Sequence, residues 1–124
     1  MKRVLIVDDD PDLLRIFSGK LREMGFDVHT AQGGDAGVAQ AEALRPDLVL
    51  MDMNMPDVDG REATRRLKAG PVAATPIIAL TALAMPDEIE EGLAAGCDGY
   101  VVKPLRPDDL LEDLRNVLAL LDHP

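Results

Sequence analysis

Asp8, Asp9, Asp52, Thr81 and Lys103 are three acids, a hydroxyl and an amine, and each follows or closes a short apolar run. Asp52 ends Leu48–Met51, and Met55-Pro56 stops that run because proline has no N–H for a ladder. Taken alone, a carboxylate there is also explained as a turn former or a helix cap. Brought together, the set has a defined chemistry. Two like charges about 4 Å apart repel by about 4 kcal/mol at an effective dielectric near 20. A divalent cation relieves this repulsion, and oxygen-only ligands suit Mg²⁺, which keeps several of its waters. A carboxylate beside a metal and a lysine can attack a phosphoryl group and form an aspartyl phosphate. The metal and the Lys103 amine would neutralise charge on the transferring oxygens. Thr81 supplies a hydroxyl able to hydrogen-bond the new group.

The set converges only if the elements beneath it are right. Val4–Val7 reads as a first strand, and Asp10-Pro11 as a helix start, with Asp capping and Pro at the first helical position. Leu13, Leu14, Phe17, Leu21 and Met24 recur at helical spacing up to Gly25, a left-handed cap. Phe26–Ala31 alternates as a second strand. After Gly33-Gly34 a second helix follows, with Asp35 as its expected cap. The Leu48 run is a third strand buried on both faces. Asp57–Gly60 is loop, with Gly60 free to take positive φ. Arg61–Lys68 is helical, Ile77–Leu80 a fourth strand, and Pro86 opens a helix with Asp87 and Glu88 in its first turn. That helix ends near Gly96. Tyr100–Val102 is a fifth strand, and Pro107 opens a last helix whose apolar face runs from Leu110 to Leu121. Five β-α units predict a parallel α/β sheet covered on both faces. Right-handed crossovers bring every strand's C-terminal end to one edge, where open α/β sheets bind ligands.

Composition narrows the alternatives. The 124 residues fit one domain, 47% are hydrophobic, and Trp is absent, so the core is aliphatic. Cys97 is expected to be a small buried residue, and the methionines core and loop packing. His29 and His123 read as surface residues with no carboxylate or second His at useful spacing. No apolar run approaches the length of a membrane span, and Val4–Val7 is too short for a signal peptide. With a single Cys, a reducing, cytoplasmic setting is expected. The formal charge of -10 argues against direct nucleic-acid binding and suits a cation or a basic partner.

The pieces V-L-I-V-D-D, L-V-L-M-D-M-N-M-P, I-I-A-L-T-A and G-Y-V-V-K-P resemble the receiver domain of two-component response regulators, close to the single-domain chemotaxis type. The resemblance covers residues 1–124 as one receiver domain. It implies a flavodoxin-like, doubly wound sheet of five parallel strands in the order 2-1-3-4-5 with five helices. It implies that Asp52 is the phospho-acceptor. Asp8 and Asp9 would be the acidic pair that holds Mg²⁺ with it, one directly and one largely through water. Asn54 would give its backbone carbonyl to the metal, and Thr81 and Lys103 would sense the phosphoryl group. Lys103-Pro104 would be a cis peptide, and Tyr100 the aromatic switch that turns inward when Thr81 moves.

The implied partners are a histidine kinase or phosphotransfer domain and a downstream protein met by the last two helices and the fifth strand. No direct nucleic-acid or membrane contact is expected. The chain departs from winged-helix relatives: Leu105 follows Pro104 where they carry Phe, and the helix opened by Pro86 has no Lys or Arg. That departure sets the usual receiver dimer in question. A stand-alone receiver and one cut from a larger protein, such as a hybrid kinase, both fit. Leu83, two residues after Thr81, is expected to slow self-hydrolysis by restricting water.

Two other readings compete. A phosphatase with an aspartyl-phosphate intermediate needs a second acid two residues after its nucleophile, and Asn54 cannot transfer protons. A degenerate receiver would lack part of the acidic, hydroxyl and lysine set, which is intact here. The expectation is a signalling receiver that assists only its own phosphoryl transfer and self-dephosphorylation.

Overall fold

The structure, a computed structural model, describes residues 2–81 and 86–102 together with Glu112 and Arg115. Five strands alternate with four helices among these residues. They are β1 (Arg3–Val7), α1 (Pro11–Glu23), β2 (Asp27–Ala31), α2 (Gly34–Leu44), β3 (Leu48–Asp52), α3 (Gly60–Lys68), β4 (Ile77–Thr81), α4 (Pro86–Ala95) and β5 (Gly99–Val102). Every strand pair is parallel, in the order β2-β1-β3-β4-β5. Lys103, Pro104, Leu83, His123 and the expected helix after Pro107 lie outside the described residues, apart from the helical Glu112 and Arg115.

Burial follows position in the sheet. β3 and β4 are buried at every residue, whereas edge strand β2 buries only Val28 and Ala31. Strand alternation divides the apolar residues into two cores. Leu5, Val7, Val49, Met51, Ile77 and Ala79 face Ala41 of α2 with Ala63 and Leu67 of α3. Val4, Ile6, Leu48, Leu50, Ile78 and Leu80 face Leu14, Phe17 and Leu21 of α1. Met51, Met53 and Met55 are buried packing residues, as their sequence context implied.

The helix ends show where local chemistry sufficed. Asp10 caps α1 by accepting from the Asp12 and Leu13 N–H groups, and Gly25 takes φ +94° just past its end. Two expectations fail. Asp35 is not the cap of α2; it lies in the first turn, after an N-cap Gly33 that offers no side chain. The acceptor comes instead from the distant Asp57. Gly60 opens α3, and the positive φ values among the described residues are those of Gly25, Gly96 and Arg45. Its small size matters for a different reason: a Cβ there would press on the Asp52 carbonyl oxygen and lie 2.7 Å from the Met53 Cα.

Candidate functional site

At the C-terminal edge of the sheet, Asp8 follows β1 and Asp52 ends β3, with Asp9 beside them. Asp8 is fully buried, Asp52 is 3% exposed, and Asp9 is exposed. One carboxylate oxygen from each lies within 4.8 Å of the others. Backbone amides steady the two buried acids. The Asp10 N–H donates to Asp8 Oδ1 at 3.0 Å, and the Asn54 N–H to Asp52 Oδ1 at 3.1 Å. The set is all oxygen, acidic and largely dehydrated, which is the donor chemistry a hard divalent cation satisfies. The acidic pocket can therefore hold a metal ion.

The neighbouring strand brings the hydroxyl. The Met53 N–H donates to the Leu80 carbonyl at 3.1 Å, carrying the β3–β4 pairing one residue past Asp52. Thr81 closes β4 and is 5% exposed. On the far side of β4, Tyr100 of β5 pairs with Ala79 and is 44% exposed. Between them a narrow crevice of about 10 Å³, room for about one water, is lined by Thr81, Tyr100, Met53, Leu93 and Cys97. Burial pushes the Cys97 thiol up from its ordinary pKa, partly offset by the Thr64 hydroxyl 3.8 Å away.

The same arrangement recurs in known proteins. The family model of the response regulator receiver domain matches residues 4–115. The chain belongs to the response regulator receiver domain family. It is thus a receiver of two-component signalling, a family of phosphorylation-dependent switches whose members interact with histidine kinases.

This receiver is 38% identical over 114 residues to the DNA-binding response regulator MtrA of Mycolicibacterium smegmatis, covering 92% of this chain and 49% of that protein. The chain spans about half the length of the curated relatives it matches. DNA binding in that name belongs to the relative. Among solved structures, the Vibrio cholerae chemotaxis protein CheY4 shares 36% identity at a TM-score of 0.89, with 94% of this chain and 98% of that one covered. The receiver domain of the Pseudomonas aeruginosa PAO1 sensor histidine kinase PA1611, which has a magnesium ion coordinated in its active-site cleft, shares 35% identity at a TM-score of 0.82. That match covers 93% of this chain and 95% of the other.

In this receiver the structure brings Asp8, Asp9 and Asp52 together, sets Asn54 beside Asp52, and puts Thr81 at the adjacent strand end. Lys103 and Pro104, named from the sequence, fall outside the described residues. Three features escaped the sequence reading. Gly60 packs on the backbone of Asp52 and Met53 only through folding, although its place just after Asp59, the α3 cap, was a signal. Arg61, at 14% side-chain exposure, pairs with Glu91 of α4 at 3.0 Å and with Asp59 at 3.2 Å, tying α4 to the start of α3. His29 does have a carboxylate at useful range: its Nε2 lies 3.3 Å from Asp27 Oδ1, because residues two apart on a strand share a face.

Proposed function

We propose that residues 1–124 form one receiver domain that accepts a phosphoryl group on Asp52 from a histidine kinase or phosphotransfer domain. The observation that carries this reading is the meeting of three acids within 4.8 Å at the C-terminal edge of a parallel sheet. Asp8, Asp9 and Asp52, with the Asn54 backbone carbonyl, are the residues that would hold Mg²⁺. When bound, the cation would neutralise charge on the transferring oxygens and cancel the mutual repulsion of the acids.

The chain's own residues do the rest. Asp52 Oδ attacks phosphorus, its O–P bond forming as the donor's P–N bond breaks. The leaving imidazole keeps that bond's electron pair and takes up a proton. Burial of Asp52 limits water at the new acyl phosphate, and the Asn54 N–H on Oδ1 orients the carboxylate. Thr81 donates its hydroxyl to the phosphoryl group, and Lys103 pairs with it. Movement of Thr81 draws Tyr100 from its exposed position toward the crevice beside it. This shifts the balance between two pre-existing states and changes the face made by α4, β5 and the last helix. Self-dephosphorylation returns the switch, without turnover of outside substrates.

The formal charge of -10 favours a protein partner with a basic face over direct nucleic-acid contact. No helix among the described residues is long and apolar enough to cross a membrane, and a cytoplasmic setting suits a kinase-fed switch. The test is intact-mass measurement after incubation with Mg²⁺ and acetyl phosphate. Wild type should gain one phosphoryl group, and Asp52→Asn none. Equal gain in both, or none in either, would overturn the assignment.

A further inference from the structure

Helix α2 lacks a cap of its own. Gly33 has no side chain to accept its first N–H groups, yet these groups carry the positive end of the helix dipole. The acceptor arrives from the loop after β3. Asp57 Oδ1 accepts from the Gly34 N–H at 3.2 Å, and Oδ2 lies 3.5 Å from the Asp35 nitrogen. The loop lies directly on the helix start. A Cβ on Gly33 would fall 2.8 Å from Asp57 Oδ2, and one on Gly34 would fall 2.6 Å from the Val58 Cβ and 2.7 Å from its carbonyl oxygen. Gly33 and Gly34 are therefore small because the loop occupies the space their side chains would fill. The Asp57 carboxyl is held below the ordinary aspartate range, first by the Val58 N–H and then by that of Gly34.

The same loop carries Asn54. Its near end is pinned by the Asn54 N–H on Asp52 Oδ1, and its far end by the Gly60 N–H on the Met53 carbonyl at 3.2 Å. Between these pins, Asp57 fastens the loop to a helix that the site does not otherwise use. We propose that Asp57 is a positioning residue for the cation site, seating the β3–α3 loop on α2 so that Asn54 presents its backbone carbonyl beside Asp52. This rests on the reading of Asn54 as a metal ligand. A carbonyl already held in place loses less freedom on binding, and partners that orient a metal's ligands commonly contribute about 10–100-fold in affinity.

The experiment is a Mg²⁺ titration followed by two-dimensional ¹H–¹⁵N NMR, read at the Asp52, Asn54 and Gly34 amides. Wild type is compared with Asp57→Ala, Asp57→Asn and Asp35→Ala. Asp57→Ala should raise the Mg²⁺ Kd about tenfold, and Asp57→Asn, which keeps a neutral acceptor, should recover part of that loss. Asp35→Ala cuts the 2.9 Å Arg66–Asp35 pair between α3 and α2 without touching the loop, and should leave Kd unchanged. Asp57 is exposed, so the fold should survive its replacement; if the alanine variant does not fold, the asparagine variant decides. A Kd within twofold of wild type in folded Asp57 variants would overturn the inference. So would an equal loss in Asp35→Ala, which would mark a general structural effect. A wild type with no Mg²⁺ response would overturn the metal-site reading itself, and the role of Asp57 with it.

Discussion

The two edges of the sheet use the same charged residues in opposite ways. At the N-terminal edge each acid meets a cation or an amide. Asp27 pairs with Arg3 at 3.2 Å, and Asp47 accepts the Arg3 N–H at 2.8 Å. Asp98 pairs with Lys68 at 3.1 Å and accepts the Ile77 N–H at 2.9 Å. At the C-terminal edge Asp8, Asp9 and Asp52 are gathered against one another, two of them buried. Opposed charges fix strand starts in register. Carboxylates gathered within 4.8 Å of one another form a group that could hold a metal ion. The difference separates a carboxylate that serves the fold from one that serves chemistry, although the residue type is the same.

The largest expected effect lies at the C-terminal edge and concerns backbone rather than charge. Gly60→Ala should lose about 3 kcal/mol in denaturant unfolding, because its Cβ would meet the Asp52 and Met53 backbone, which cannot swing aside. Its acetyl-phosphate labelling should fall in step.

A matched pair of substitutions tests the contrast itself. Asp8→Asn keeps an oxygen for the Asp10 N–H but removes one repelling charge, so without Mg²⁺ it should gain about 1–3 kcal/mol. It should also lose the thermal stabilisation that Mg²⁺ gives wild type through linkage. Asp98→Ala at the other edge should lose about 1–2 kcal/mol, since the Ile77 N–H loses its acceptor. If both substitutions shift the urea midpoint the same way, the distinction between the edges fails.

Acid sharpens the comparison with the smallest effect. The Arg3 guanidinium is the main cause that holds Asp27 below the usual carboxylate range. A folded pKa lower than the unfolded one stabilises above the unfolded value, about 3.9, and that contribution is lost as pH falls through the lowered folded value. The melting-temperature gap between wild type and Asp27→Asn should therefore be full at pH 6 and close progressively below about pH 4.

Much of this was legible beforehand because it is local. Asp10-Pro11 and Pro86 announced their helices, and apolar runs of strand length located β1, β3 and β4. The sites of Asp8, Asp9 and Asp52 followed from those runs, since a residue just past a parallel strand has one place to go. The misread positions depend on distant neighbours. Asp35 has the composition of a cap, but Asp57 takes that role from 23 residues away. Gly60 has the composition of a flexible turn, yet it is a close-packed helix residue.

The sequence by itself determined the alternation of strands and helices, the parallel sheet, and which acids lie at its C-terminal edge. These follow from apolar periodicity, proline and glycine chemistry, and crossover handedness, all of which act within a few tens of residues. Only the tertiary structure decided that Asp57 caps α2, that Gly60 abuts Asp52, and that Arg61 reaches Glu91. Those contacts depend on how closely separate elements approach, and that distance is set when the two cores pack, not by any residue's own preference.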